Sequence, residues 1–195
     1  MAAPASKTMA SLTGKWSLNK TLSDPTDPAL ALQGIGWFLR KGIGAAHIVL
    51  DVKQYVDSET GKPRIDIEQT ASGLSSTRER RVLDWTTRDH KDWLFGAVRG
   101  QSKFMTLAEL TALVAAPDGE ARKGGWVDSD FLALDWLDEE GGFVLNHVAA
   151  EAGWFATQAW GFQDVGGERR HVRNVVVAKG DKFISFKMIY DFISE

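Results

Sequence analysis

From Ala46 onward the chain alternates apolar and polar side chains with a period of two, segment after segment, and that pattern allows few folds. Ile48, Leu50, Val52 and Gln54 share one face of the first such segment; His47, Val49, Asp51, Lys53 and Tyr55 share the other. Arg64 to Ala71 sets Ile65, Ile67 and Gln69 against Asp66, Glu68 and Thr70. Thr77 to Thr87, with Leu83 and Trp85 in register, and Trp93 to Phe104 continue the series. After a different middle stretch it resumes over Gly142 to Ala150, Trp154 to Asp164, Arg169 to Lys179 and Lys182 to Ile193. Gly166-Gly167 and Gly180-Asp181 mark tight hairpins. The expectation is an all-β antiparallel meander of about nine or ten strands, curled into an up-and-down barrel, because an open sheet of that size leaves two exposed edges.

Helical spacing occurs once before the strands. Leu32, Ile35, Leu39 and Ile43 recur at helical intervals after Asp27-Pro28, where Asp27 suits a cap and Pro28 a first helical residue. Gly34 and Gly36 interrupt this stretch, which reads as one kinked helix or two short ones. Thr106 to Ala116 suits a short helix, Pro117 to Gly125 is polar and glycine-rich, and Phe131 to Leu137 suits a short strand. The region near 105–130 reads as an insertion into the meander. Residues 1–11 read as a flexible leader, and 12–195 as one domain.

Composition excludes more than it selects. Across 195 residues there are 23 basic and 26 acidic side chains, net charge −3, so tracking nucleic-acid phosphates is not expected. No cysteine is present, which removes disulfides and thiolate chemistry. No run of about 18 apolar residues suggests a membrane span, and the start of the chain lacks the apolar core of a secretory signal. A cytoplasmic protein is expected, and no sequence pattern calls for a metal or cofactor.

Gly14-Lys15-Trp16 opens the first strand, and this G-x-W resembles the signature shared by lipocalins and fatty-acid-binding proteins of the calycin superfamily. The segment Gly34-Ile35-Gly36-Trp37-Phe38-Leu39-Arg40-Lys41 is similar to the helical lid that follows the first strand in intracellular fatty-acid-binding proteins, and Tyr190 stands where that family carries a late tyrosine. The resemblance implies a ligand-enclosing barrel with a lid over residues 28–44, and a structural Trp16 on its floor under a basic side chain, Arg173 or Lys187. Many members hold a carboxylate through an arginine two positions before the tyrosine; Met188 stands there, and a fatty-acid carboxylate is not assumed. The architecture also resembles that of small fungal lipocalin-fold proteins, some of which are cofactor-free cyclases of secondary metabolism, Diels–Alder catalysts among them.

The most pocket-like segment is Gly153 to Phe162. Trp154, Gln158, Trp160 and Phe162 alternate onto one face, and Gly161 relieves crowding on the other. A glutamine among aromatics suits an orienting contact in an apolar cavity. His147 and His171 lie on neighbouring late strands and suit a general acid or base, and Arg173 shares a face with His171. His90 reads as a turn residue, and Arg78-Glu79-Arg80-Arg81 as the wet face of a strand.

Two functions follow. The first is a module that sequesters or carries a small lipophilic ligand, lined by Trp154, Gln158, Trp160, Phe162, Met188 and Tyr190. The alternative is a cofactor-independent, pericyclase-like cyclase or isomerase acting on a polyketide or terpenoid intermediate, with Tyr190, His147, His171 or Arg173 donating to developing charge. A barrel filled by its own side chains would instead serve as a partner-binding module.

Overall fold

The computed structural model describes residues 1–72, 76–115, 127–139 and 141–195. Ten strands form one antiparallel sheet: β1 (Gly14–Leu18), β2 (Ile48–Val56), β3 (Pro63–Ala71), β4 (Thr77–Val82), β5 (Arg88–Asp92), β6 (Gly96–Met105), β7 (Phe143–Ala150), β8 (Trp154–Val165), β9 (Glu168–Lys179) and β10 (Lys182–Ser194). The spatial order is β4-β3-β2-β1-β10-β9-β8-β7-β6-β5. Sequential strands are therefore neighbours throughout, except at β4 and β5, and the β1–β10 pair joins the two ends of the meander. The fold is all-β, as the alternation implies, and of the calycin type that the G-x-W resemblance implies.

The G-x-W has a steric reason. Gly14 has φ +139°, and a Cβ there would lie 2.8 Å from the Ser194 carbonyl oxygen and 2.9 Å from the Phe192 ring. Only glycine admits so close an approach of the last strand. Two residues on, Trp16 is fully buried; its indole donates to the Leu12 carbonyl at 3.0 Å and meets the rings of His171 and Phe192 at 5.3 and 5.1 Å. Neither Arg173 nor Lys187 covers it, contrary to expectation. The floor cations are Arg169, 3.7 Å above the Phe162 ring, and Lys7, 5.5 Å from Phe192. Lys187 lies on the outer face of β10 and pairs with Asp135 at 2.6 Å.

Residues 1–11 are packed rather than detached. Ala3, Lys7 and Met9 are buried, the Ala3 amide donates to the Arg169 carbonyl at 2.7 Å, and Lys7 reaches Thr13 and Glu195. The helical segment is two helices, α1 (Asp27–Leu32) and α2 (Trp37–Ala45). Asp27 does not cap; Thr26 holds that position, and Asp27 pairs with Arg40 at 3.2 Å. Ala29 of α1 is buried against the barrel interior, whereas Trp37 and Phe38 of α2 project outward.

Among the described residues two further helices lie between β6 and β7: α3 (Leu107–Ala115) and α4 (Ser129–Leu132). The strand expected over Phe131 to Leu137 is absent, and Pro117 to Gly125 lies outside the described residues. The described part of the insertion covers the outside of the barrel. Leu110, Val114 and Leu132 pack on Phe143, Leu145, Ala159 and Val176 of β7, β8 and β9. Buried Asn174 donates to the Phe131 and Leu134 carbonyls at 3.0 and 3.1 Å, which ties the insertion to β9. No helix among the described residues is long and apolar enough to cross a membrane.

Candidate functional site

The inward face of β8 carries Ala156, Gln158 and Trp160; that of β9 carries Arg173, Val175 and Val177; that of β10 carries Phe186, Met188 and Tyr190. Registers Gln158↔Val175, Trp160↔Arg173, Met188↔Arg173 and Tyr190↔His171 bring these residues side by side. All of them but Trp160 bound a cavity of about 160 Å³ whose walls also include Leu18, Ile48 and Glu79, with Ala29 and Leu30 of α1 as its cover. Of the residues expected from sequence, Gln158, Arg173, Met188 and Tyr190 line this space.

Arg173 is the dominant feature. It is 6% exposed, with its guanidinium 3.9 Å from the Trp160 ring centroid and 5.1 Å from that of Tyr190. Among the described residues its Nε and Nη2 are buried without a hydrogen-bond partner. A buried charged donor left unsatisfied is costly and rare, so it marks a place where a ligand acceptor belongs. Burial holds Arg173 below the usual guanidinium range, while nearby Tyr190 and Glu79 act the other way and Arg81 adds to the depression. The group remains a cation at physiological pH.

A second arginine lies across the indole. Arg81 sits 5.2 Å from the Trp160 centroid, donates to Glu79 at 2.6 and 3.0 Å, and reaches the Asn146 side-chain oxygen. Trp160 donates to the Gln158 carbonyl oxygen at 2.8 Å, leaving the Gln158 amide NH₂ as the group it can offer elsewhere. Burial opposes the charge on Glu79, but Arg81, Arg173 and the Arg81 hydrogen bond outweigh it, with His90 adding to them, and hold the carboxyl below its ordinary value. Two arginines thus act on one carboxylate at this site, Arg81 through a hydrogen bond and Arg173 through its charge.

The other expected residues fall elsewhere. Trp154 is buried in the upper interior cluster with Ala156 and Phe186, Trp160 forms a platform beneath Arg173, and Phe162 belongs to the floor. His171 is fully enclosed on that floor. Its Nδ1 lies 3.1 Å from the Gly161 carbonyl, and its ring stacks on Tyr190 at 5.4 Å. Burial, then the charge of Arg173, pushes its pKa down to about 3, against the Gly161 hydrogen bond and with a further push from Arg169. A neutral, enclosed imidazole is a poor acid or base near pH 7. His147 is on the outer face of β7, with Nδ1 2.9 Å from Thr157 Oγ1 and its ring stacked on exposed Phe155, so it does not reach the cavity. Tyr190 is fully buried; among the described residues its hydroxyl meets only Met188 Sδ at 3.8 Å, and burial raises its pKa despite the pull of Arg173, Glu79 adding to the rise. It is therefore a neutral donor.

Two site residues were not anticipated. Glu79 and Arg81 were read as a wet face, but only Arg78 and Arg80 of that run point outward. The pairs Ile67↔Glu79 and Ile65↔Arg81 set them beside the buried isoleucines of β3. Their inward face follows only once the pairing of β4 with β3 is known.

Fold and cavity together define the class: a calycin-type barrel that encloses an apolar space with a buried cationic wall. No protein-family model matches the chain. It is 28% identical over 193 residues to a protein of Mollisia scopiformis named probable pericyclase scpY, covering 98% of this chain and 95% of that one. It is 25% identical over 197 residues to pericyclase pydY of Acremonium sp, covering 99% and 97%. Among solved structures it is similar to the fluorescent protein UnaG, with TM-score 0.56 at 13% identity over 93% of this chain and 97% of that one. It is also similar to a Schistosoma mansoni fatty acid binding protein in complex with arachidonic acid, with TM-score 0.53 at 13% identity over 96% and 100%. These structural likenesses show the fold.

Proposed function

We propose that this chain is a pericyclase: it takes up a lipophilic, conjugated substrate and accelerates its closure to a ring without exchange of atoms with a co-reactant. The observation that carries the reading is Arg173, a guanidinium with two nitrogens unsatisfied among the described residues, in a mainly apolar cavity. The full-length similarity to two proteins named pericyclases supports the type of chemistry.

Arg173 and the neutral phenol of Tyr190 donate to a carbonyl or enolate oxygen conjugated with the reacting alkene. In a Diels–Alder-type closure two carbon–carbon σ bonds form, two π bonds are consumed and a third shifts, so product and substrate are isomers. A charge-assisted hydrogen bond that strengthens as density moves onto that oxygen contributes about 1.5–3 kcal/mol, roughly ten- to 150-fold in rate. The apolar walls hold the chain in a reactive fold, which removes several kcal/mol more. Buried away from water, the donors act at low dielectric and need no reorganisation.

The test is incubation with linear substrates that carry a diene, an activated alkene and an acidic enol or carboxyl group. An enantioenriched isomer of unchanged mass supports catalysis. Tight binding with conversion only at the background rate, giving racemic product, supports the carrier reading that the fold also accommodates.

A further inference from the structure

The inner cavity alone, about 160 Å³, is smaller than the roughly 300–1,000 Å³ that enclose most small-molecule ligands. A second chamber of about 450 Å³ adjoins it, in the gap where β4 and β5 fail to pair. The two share Gln33, Glu79, Phe95 and Gln158 as lining residues, so they lie side by side against the same side chains. Val82, Val98, Gly100 and Val148 supply apolar wall to the side chamber, Gln101 and Ser102 line it beside them, and Arg78, Arg80 and Arg88, with Asp89 among them, stand along its mouth. The gap is held at its base rather than closed. Trp85 donates to the Ser102 carbonyl at 2.8 Å, and Arg88 and Lys62 converge on Asp84 at 2.7 Å each.

We infer that this side chamber is the second half of the binding site: the ligand is an elongated, mainly apolar molecule with hydrogen-bond acceptors at both ends. One end lies at Arg173 and Gln158, and the other emerges between β4 and β6 at the arginine mouth. The apolar length between two cationic ends sets the ligand's pattern. This rests on the ligand-binding part of the reading above and not on catalysis.

Gly100 offers a way to fill the chamber. Its φ is not positive, and a Cβ there would meet only the Val148 side chain at 3.6 Å and the His147 carbonyl at 3.9 Å, ordinary van der Waals distances. Dansyl-undecanoic acid, with a carboxylate at one end and sulfonyl oxygens at the other, is the long probe; dansyl-glycine is the short one. Gly100→Phe is expected to weaken the long probe tenfold or more while leaving the short probe within twofold. Unchanged binding of the long probe, or equal weakening of both, would overturn the inference. Should Gly100→Phe fail to fold, the wild-type protein carries the test through the long probe bearing a diazirine beside its dansyl group. Photolabelling within β4 to β6 or at Val148 supports the side chamber, and labelling confined to α1 and α2 overturns it. Both readouts are binding measurements, so they stand apart from any failure to find turnover.

Discussion

Replacing Arg173 with methionine should leave the ligand-free protein as stable as the wild type or more so, while removing its function. Each of the two buried, unpaired guanidinium nitrogens costs about 1–3 kcal/mol of desolvation that no hydrogen bond returns. Against this stand the ring contacts at 3.9 Å with Trp160 and 5.1 Å with Tyr190, worth about 2 kcal/mol together in a desolvated site. Attraction to Glu79 offsets more, but Glu79 keeps Arg81 when Arg173 is gone. Methionine is unbranched and can fill the space against the indole. The balance runs from neutral to about 2 kcal/mol stabilising, as when other buried ions are exchanged for apolar groups. For a chain of this length each kcal/mol moves Tm by about 2–4 °C. Thermal unfolding followed by circular dichroism reads the shift, and turnover falls roughly ten- to 150-fold with the lost hydrogen bond. A ligand-free variant destabilised by more than about 2 kcal/mol would refute the reasoning, because the guanidinium would then be satisfied within the protein and not waiting for a ligand.

Three further substitutions probe the same account. His171→Phe keeps the floor aromatic and removes a group whose folded pKa of about 3 lies below its ordinary 6.5. The wild type therefore loses stability as pH falls from about 6.5 towards 3 by up to about 1.4 kcal/mol per pH unit from this group, and the variant's urea-unfolding profile should lack that slope. Identical profiles in the two proteins would show a protonated His171 in the fold. Gly161→Ala places a methyl 2.7 Å from the Phe143 ring and 2.9 Å from Trp136, and should cost about 1–3 kcal/mol by denaturant titration, with no loss expected if these two rings do not pack on β8. Tyr190→Phe removes only a weak 3.8 Å contact to Met188 Sδ, so stability should change by less than about 1 kcal/mol while turnover drops several-fold. A large stability loss there would make the phenol structural.

The succession of strands was legible from the period of two and the hairpin glycines, but the inward face of the late strands was not, because β8 and β9 are buried on both faces: Trp160 and Val175 point inward while Ala159 and Val176 pack under the insertion. The G-x-W was legible as a motif, although its reason, the approach of Ser194 and Phe192 to Gly14, joins residues at opposite ends of the chain. What alternation concealed was charge inside the barrel. Glu79 and Arg81 occupy inward positions of an edge strand, and polar residues there resemble solvent-facing ones unless the partner strand is known. The strand expected over Thr77 to Thr87 stops at Val82, because Trp85 takes a positive φ of 57°, and His90 lies in β5 rather than a turn. The insertion was visible as a break in the pattern. Its role as an outer cover was not, since Leu110, Val114 and Leu132 are apolar for a face of the sheet that the strands alone do not identify as buried.

A comparison of kcat/KM for one cyclising substrate with a free acidic enol or carboxyl group and for its O-methylated form tests the role of the buried cation most directly. If Arg173 holds an anionic acceptor conjugated with the reacting alkene, methylation lowers kcat/KM roughly tenfold or more in the wild type. In Arg173→Met the two forms should react at nearly equal, slow rates. Equal kcat/KM for both forms in the wild-type protein would contradict the assignment and leave the barrel as a shape-selective container whose arginine does not act on the substrate.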